Sequence, residues 1–172
     1  MRLFMTIRDA QERDLPALLS IFNDVVATST AIYMDSPTTL EERAAWWRDR
    51  VSAGYPVIVS EDASGVTGYA SFGEFRGRPG YRFTVEHSVY VRADCRGGGI
   101  GVGLMQRLIE RAVAMQKHVM IAGVDAENVA SIRFHERLGF ERVAHFKQVG
   151  FKFGRWLDLI FLQRTLKPQL NP

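Results

Sequence analysis

Hydrophobic residues in the N-terminal third of the chain recur at the three- and four-residue spacing of amphipathic helices. Asp14 and Pro16 supply a cap and an early proline, and the apolar positions after them predict a first helix to about Ala27: Leu15, Leu18, Leu19, Phe22, Val25 and Val26. Thr39 and Glu42 form a capping-box pattern, and a second helix runs to Gly54 with Leu40, Ala44, Trp47 and Val51. The segment 28–37 between these helices is irregular.

Shorter runs with the composition of β-strands lie at 6–8, 56–61, 66–75, 81–91, 119–124, 140–149 and 156–165. Segments 56–61 and 66–75 pair as a hairpin, and the unbroken apolar run 119–124 is typical of a strand covered on both faces. Helical stripes occupy 100–115 and 128–138, the second closed by Gly139. The order β-α-α-β-β-β-α-β-α-β-β predicts an α/β fold with a mixed sheet and helices on both faces. We expect residues 1–172 to form one domain with a core at about 5–167.

The strand that ends at Val91 leads through a short loop into a glycine-rich turn and then into a helix. Five glycines lie between Gly97 and Gly103, where unpaired N–H groups at a helix N-terminus can bind phosphate. A P-loop is excluded because the chain has no Gly-Lys pair, and the dinucleotide pattern G-x-G-x-x-G fails at its last glycine. The pattern that fits is Arg96-x-x-Gly99-x-Gly101, although an ordinary strand-to-helix turn remains an alternative.

Composition and charge indicate which kinds of binding partner this protein is not expected to have. The chain has 172 residues, 47% hydrophobic and 24% charged, with a net charge of +3. Its basic residues are scattered among acids, so we expect no nucleic-acid partner. No apolar run reaches the length of a membrane span and the N-terminus lacks a signal-peptide core, so we expect a cytoplasmic protein without a membrane partner. A single cysteine, Cys95, and histidines without H-x-x-x-H spacing make a metal site unexpected.

The glycine pattern resembles the cofactor loop of the GNAT superfamily of N-acetyltransferases. A second landmark of that superfamily resembles the stretch from Asn128 through Ser131, His135 and Gly139 to Phe140. A closer resemblance, over nearly the whole chain, is to the phosphinothricin and methionine sulfoximine (or methionine sulfone) N-acetyltransferases. It is carried by Y-R-F-T-V-E-H-S-V-Y-V, H-V-M-I-A-G-V and Q-V-G-F-K-F-G-R-W-L-D. The resemblance implies the GNAT fold, acetyl-CoA as co-substrate, a small amino-acid acceptor and a homodimer.

The resemblance also implies the site residues. Glu86 is expected to be the general base, with a solvated carboxylate or an arginine partner as its plainer interpretation. Cofactor binding falls to Val89, Tyr90, Val91, Arg96, Gly97, Gly98, Gly99, Ile100, Gly101, Val102 and Asn128. Substrate binding falls to Arg76, Gly77, Arg78, Glu86, His87 and Ser88. Asn128 could equally be a helix N-cap, and the two arginines could be solvated.

Five further positions bear on mechanism and specificity. The tyrosine that the superfamily often uses as general acid is His135 here, so no tyrosine acid is assigned. Cys95 suggests a ping-pong scheme, but no neighbouring base supports it, and direct transfer in a ternary complex is favoured. The aromatic residues Tyr33, Trp47 and Phe75 are either walls of the acceptor pocket or core residues.

The functional hypothesis is acetylation of the α-amine of methionine sulfone, methionine sulfoximine or a similar amino acid, with phosphinothricin as a further candidate. Two alternatives remain open. One is a GNAT enzyme with another acceptor, such as a protein N-terminus or an aminoglycoside. The other is a non-catalytic sensor that binds acyl-CoA.

Overall fold

The computed structural model describes residues 5–166 and contains the predicted element order. In chain order the elements are β1 (Thr6–Asp9), α1 (Leu15–Thr28), α2 (Leu40–Ser52), β2 (Val57–Asp62), β3 (Gly65–Glu74), β4 (Thr84–Val91), α3 (Ile100–Ala114), β5 (Val119–Asp125), α4 (Val129–Arg137), β6 (Glu141–Lys152) and β7 (Arg155–Thr165). The seven strands form one mixed sheet in the order β1-β2-β3-β4-β5-β7-β6. The α/β fold class predicted from the sequence is confirmed.

Two compact units divide the chain. The first comprises Met1–Asp24, Thr38–Gly73 and Ser88–Arg111, and the second comprises Val25–Pro37, Glu74–His87 and Ala112–Pro172. Strand β4 therefore contributes its first half to the second unit and its second half to the first. The single-domain organisation expected from the sequence stays a prediction.

In the first unit, β1, β2 and β3 form an antiparallel meander. Its hydrophobic core contains Leu18 and Ile21 from α1, Val57 and Val59 from β2, and Tyr69 from β3. The capping box predicted before α2 is present, because the Thr39 hydroxyl accepts from the Glu42 N–H while the Glu42 carboxylate accepts from the Thr39 N–H.

In the second unit, β4 runs parallel to β5, with Val85 beside Met120, as the strand-helix-strand pattern predicted. Strand β7 pairs with β5 and β6 in antiparallel register. The core of this unit includes the fully buried Val85, Met120 and Leu162. Gly139 closes α4 with φ +81°, the left-handed conformation expected at that position.

Two boundaries differ from the sequence-based expectation by three residues, and the others by at most two. The strand predicted at 81–91 begins at Thr84, because Pro79–Tyr81 form a short 3₁₀ turn. The last hairpin was expected to turn over 150–154, but β6 continues to Lys152 and the turn contains only Phe153 and Gly154. Both turn residues have positive φ, +50° and +74°. Such a pair matches the twist of a tight hairpin.

A buried lysine anchors the chain after α1. Lys152 on β6 is only 2% exposed. Its ammonium donates to the main-chain carbonyls of Val26 at 2.6 Å, Ser29 at 2.7 Å and Ile32 at 2.8 Å. These three bonds use every N–H of the ammonium group. The irregular segment that follows α1 is therefore tied to β6 through its backbone.

Candidate active site

The glycine turn before α3 has the backbone that a phosphate site requires. Gly97 and Gly99 both have φ +83°, and a Cβ added at either would meet no atom within 4 Å. The turn residues from Arg96 to Gly99 are exposed. The Gly103 N–H donates to the Gly99 carbonyl at 3.0 Å and starts the hydrogen-bond ladder of the helix. The N–H groups of the first helical turn thus directly follow an open turn, at the positive end of the helix dipole.

Two arginines hold the chain between β4 and this turn. The Arg96 guanidinium folds back and donates through Nε to the Val91 carbonyl at 3.2 Å. Arg92 donates its main-chain N–H to Thr67 at 2.9 Å and its side chain to the Val66 carbonyl at 3.1 Å. The sequence analysis missed the role of Arg92, because nothing local shows that its partners lie on β3.

The second half of β4 contains Ser88, Val89, Tyr90 and Val91, all half-buried. A Cβ on Gly68 of β3 would lie 2.8 Å from the Tyr90 carbonyl oxygen and 3.3 Å from the Val91 Cα. The missing side chain therefore allows a close approach of the two backbones. The Tyr90 ring packs against Tyr69 with a centroid distance of 5.3 Å and lies edge-on to Phe22. These contacts restrict Tyr90 and Val91, which the sequence analysis predicted to bind the cofactor through their backbone.

Glu86 lies in the first half of β4, beside Ile121 of the parallel strand β5. Its side chain is half-buried. A Cβ on Gly123 of β5 would lie 3.3 Å from Glu86 Oε1 and 3.2 Å from the Phe161 ring. Gly123 thus provides the space that the carboxylate occupies. The sequence contained a signal for this contact, since a glycine inside an apolar strand often marks a close approach.

His87, the next residue, is buried and contacts a second imidazole. Its Nε2 lies 3.2 Å from Nε2 of His135 on α4. His135 Nδ1 lies 2.7 Å from the Ser131 carbonyl oxygen. Burial lowers the pKa of His87 well below its usual value, and the His135 ring lowers it further. Burial also lowers the pKa of His135.

Asn128 is the N-cap of α4, so the plainer of its two predicted roles is present. Its Oδ1 accepts from the Ser131 N–H at 3.0 Å, and its carbonyl accepts from the Ile132 N–H at 3.0 Å. Asn128 also lines an open cavity of about 410 Å³, together with Thr28 and Phe153. The cap uses only the side-chain oxygen of Asn128. Its amide nitrogen is not part of the cap, so the predicted cofactor role is compatible with capping.

The arginine loop before β4 is exposed at Arg76, Gly77 and Arg78. The Arg76 guanidinium lies over the Phe75 ring at 5.3 Å and over the Tyr81 ring at 5.9 Å. Stacking of this kind restricts the guanidinium without using its hydrogen-bond donors. The Arg78 N–H donates to the Arg76 carbonyl at 2.8 Å, which tightens the loop.

The three aromatic candidates have structural contacts. Trp47 packs against the core of the first unit. Phe75 contacts Tyr81 and Phe161, and the Tyr33 hydroxyl donates to the Asp158 carbonyl at 3.0 Å. Trp47 and Phe75 therefore have the packing role that the sequence analysis left open, and Tyr33 is held by a hydrogen bond.

Cys95 is a free, partly buried thiol whose Sγ lies 3.5 Å from an Asp94 carboxylate oxygen. Burial raises the pKa of this thiol, and the hydrogen bond to Asp94 raises it further. A raised pKa reduces the thiolate fraction that nucleophilic catalysis needs.

The site residues named from the sequence fall in both units. Ser88, the backbone of 89–91 and the glycine turn belong to the first unit, and Glu86, His87, Asn128 and the arginine loop belong to the second. Within residues 5–166, no group of three or more metal-binding side chains comes together. None of the helices in that range combines the length and apolar character of a membrane span.

Comparison with known proteins identifies the family. A profile described as "Acetyltransferase (GNAT) family" matches residues 18–140. The L-methionine sulfoximine/L-methionine sulfone acetyltransferase of Pseudomonas aeruginosa is 54% identical over 164 residues, which cover 95% of each chain. The phosphinothricin N-acetyltransferase of Alcaligenes faecalis is 39% identical, covering 94% of this chain and 82% of the relative.

A solved structure of a Salmonella typhimurium acetyltransferase with its cofactor acetyl-CoA is 48% identical. It superposes with a TM-score of 0.94 and covers 98% of each chain. The fold, the profile match and the relatives agree with the resemblance seen in the sequence, and the chain belongs to the GNAT acetyltransferase family.

Proposed function

We propose that this protein transfers the acetyl group of acetyl-CoA to the α-amine of a small amino acid or amino-acid analogue. Methionine sulfoximine and methionine sulfone are the first candidate acceptors, since a relative with 54% identity is named for them. Phosphinothricin follows, because a relative with 39% identity is named for it. We expect the reaction to occur in the cytoplasm and to need no metal.

The glycine turn is the observation that carries this proposal. Gly97 and Gly99 have a backbone conformation that other residues rarely adopt, and open space surrounds both. Main-chain N–H groups from Arg96 to Val102 can therefore approach a pyrophosphate without side-chain obstruction. The other proposed cofactor contacts are the backbone of Val89, Tyr90 and Val91 and the side chain of Asn128. Acetyl-CoA, when bound, supplies the thioester carbon that the amine attacks.

Glu86 would remove the proton of the incoming amine. An α-amino group has a pKa of about 8 and is mostly protonated at neutral pH, so a base is needed before it can attack. The Glu86 carboxylate is half-buried beside Gly123, a position in which its orientation is restricted. It can accept the proton directly or through a water.

Backbone N–H groups of β4 would stabilise the charge that develops on the acetyl oxygen. A donor contributes most when it is already in place before the reaction. Tyr90 is suited to this role, because its ring packs against Tyr69 and Phe22 and its carbonyl lies close to the backbone of Gly68, which restricts its movement.

The arginine loop would bind the carboxylate of the acceptor. A guanidinium is the natural bidentate receptor for a carboxylate. Arg76 is favoured over Arg78, because its stacking on Phe75 and Tyr81 restricts its motion before substrate binds. Gly77, Ser88 and the main chain of His87 complete the proposed substrate-binding set, because the His87 side chain is buried against His135.

Direct transfer from acetyl-CoA to the amine is favoured over an acetyl-cysteine intermediate. The raised pKa of Cys95 works against its use as a nucleophile. The protein then contributes mainly proximity, deprotonation and stabilisation of the developing charge.

Release of free thiol from acetyl-CoA, measured against a panel of amines, tests this function. Methionine sulfone and methionine sulfoximine should react faster than peptides or aminoglycosides. Glu86→Gln should lose much more activity at neutral pH than at high pH, because at high pH the amine is already deprotonated. Glu141→Gln, which changes an exposed carboxylate on β6, serves as the control. Equal loss at every pH would remove Glu86 from the base role, and cofactor binding without thiol release would indicate a sensor.

We further propose that the protein forms a homodimer through β6 and β7. Strand β6 lies at the end of the strand order. Large apolar side chains are exposed on this pair of strands: Val143, Phe146, Val149, Phe151 and Trp156, the last 62% exposed. An exposed apolar surface on an edge strand is suited to pairing with a second copy about a two-fold axis. Analytical ultracentrifugation should give twice the monomer mass, and a monomer at micromolar concentration would contradict the proposal.

A further inference from the structure

The two buried imidazoles in the second unit have a proton arrangement that their contacts determine. A main-chain carbonyl can only accept, so the 2.7 Å contact with the Ser131 oxygen places a proton on Nδ1 of His135. A neutral ring carries one proton, which leaves Nε2 of His135 with a lone pair. The 3.2 Å contact between the two Nε2 atoms is then a hydrogen bond that His87 donates. The proton of His87 therefore lies on Nε2.

The fourth ring nitrogen of the pair, Nδ1 of His87, is a buried polar atom that packing does not require. Nδ1 of His87 is buried, and within the described part of the chain it has no hydrogen-bond partner. The ring centroid of Phe140 lies 5.6 Å from that of His87 and 5.4 Å from that of His135. Such apolar surroundings would suit an apolar side chain at position 87. Packing alone therefore does not account for His87.

We propose that His87 is a positioning residue for acetyl transfer, which donates from Nε2 to His135 and thereby holds strand β4 to helix α4. His87 follows Glu86 directly on β4, and His135 lies on the helix whose N-cap is Asn128. The hydrogen bond thus joins the strand of the proposed base to the helix of a proposed cofactor contact. This role rests on the proposed function, whereas the proton arrangement does not.

The same arrangement determines what His135 can do. Its one proton points to Ser131, and its other nitrogen is occupied as an acceptor. His135 therefore has no proton to give to the departing thiolate at neutral pH. It holds the position of the superfamily's tyrosine without replacing that tyrosine as an acid.

Two carboxylates are adjacent in sequence to the two histidines. Glu86 precedes His87, and Glu136 follows His135 and accepts from Arg142 at 2.8 Å. The groups that act on the pKa of His87 are its apolar surroundings, first, and then the His135 ring. Both pKa values lie below the usual value for histidine, so the pair is neutral at neutral pH.

Nitrogen-15 NMR of histidine-labelled protein tests the proton arrangement without any assay of activity. We expect the protonated shift at Nδ1 of His135 and at Nε2 of His87, and the unprotonated shift at the other nitrogen of each ring. His135→Gln and His87→Gln assign the two sets of signals. A protonated Nδ1 on His87, or a charged ring at pH 7.5, would overturn the inference.

The positioning role is tested by His87→Leu and His87→Gln, which both remove the ring and differ in the amide donor. The Gln amide nitrogen can reach the place of Nε2 and donate to His135, but Leu cannot. We expect His87→Leu to lower kcat about tenfold with a smaller change in KM, and His87→Gln to recover most of that loss. Equal activity of the two variants, at matched thermal midpoints, would overturn the role. Wild-type protein without any acetyl transfer would instead refute the proposed function and leave the NMR result to stand.

Discussion

Replacing Lys152 by methionine should destabilise the fold strongly. Methionine preserves the length and apolar stem of the side chain but removes the three hydrogen bonds to Val26, Ser29 and Ile32. Each hydrogen bond from a charged donor contributes about 1.5–3 kcal/mol. The gain from no longer burying an ammonium offsets part of that loss.

The net cost of this substitution should be about 3–5 kcal/mol, because three carbonyls lose a charged donor and the relief of burying an ammonium offsets only part of that loss. For a chain of this length that corresponds to a fall of about 6–20 °C in the melting temperature. Urea unfolding and calorimetry measure both quantities. Lys147→Met is the matched control, because Lys147 is an exposed lysine on the same strand.

The pH dependence gives a second measurement on Lys152. Burial lowers the pKa of this lysine in the folded state below its usual 10.5. Between the folded pKa and 10.5, the unfolded chain binds more protons, so the stability of the wild type should rise with pH relative to Lys152→Met. Below the folded pKa the difference between the two proteins should be constant. A cost below about 1 kcal/mol would refute the argument, since it would mean that water satisfies the three carbonyls equally well.

Two further predictions concern residues in separate parts of the chain. Gly123→Ala should lower kcat about tenfold with little change in melting temperature. The new methyl group would lie 3.3 Å from Glu86 Oε1 and displace it. An unchanged kcat would show that the position of Glu86 beside residue 123 does not matter for catalysis. Asp14 is buried, which tends to raise its pKa, but the hydrogen bonds from the Arg8 side chain and the Gln11 N–H, together with the positive charges of Arg8 and Arg13, outweigh that effect and hold the pKa below its usual 3.8. The contribution of the Asp14 carboxylate to the free energy of unfolding should be complete above pH 3.8 and lost as the pH falls through the folded pKa. The free energy of unfolding of Asp14→Asn should therefore depend less on pH in the acid range than that of the wild type.

Local sequence signals predicted most of the fold. Thr39 and Glu42 marked the start of α2, and Gly139 marked the end of α4. These signals work because a capping residue is determined by the helix end it belongs to and not by distant contacts. The errors occurred where two local signals competed. Tyr81 has strand propensity, but Pro79 and Gly80 draw it into a turn, and β4 begins later than expected. Phe153 lies in a left-handed conformation that no propensity scale would assign to it.

The candidate site was predictable to the extent that its residues lie close together in the sequence. The glycine turn could be identified because strand, turn and helix follow one another within the segment from Ser88 to Leu108. The contacts of Lys152 with the end of α1, and of Glu86 with Gly123, join residues far apart in the chain. Such contacts depend on how elements pack, and the pattern of one segment contains no information about its packing partner.

The two strand glycines, Gly68 on β3 and Gly123 on β5, limit which atoms can lie next to strand β4. A single methyl group at Gly68 would collide with the carbonyl of Tyr90, and one at Gly123 would press on the carboxylate of Glu86. Neither glycine has a functional group, so a survey of reactive side chains would pass over both. A description of the residues on which this enzyme depends must therefore include positions where a side chain would collide with a neighbour. Directed evolution for new acceptors should leave Gly68 and Gly123 unchanged and vary the exposed loop around Arg76.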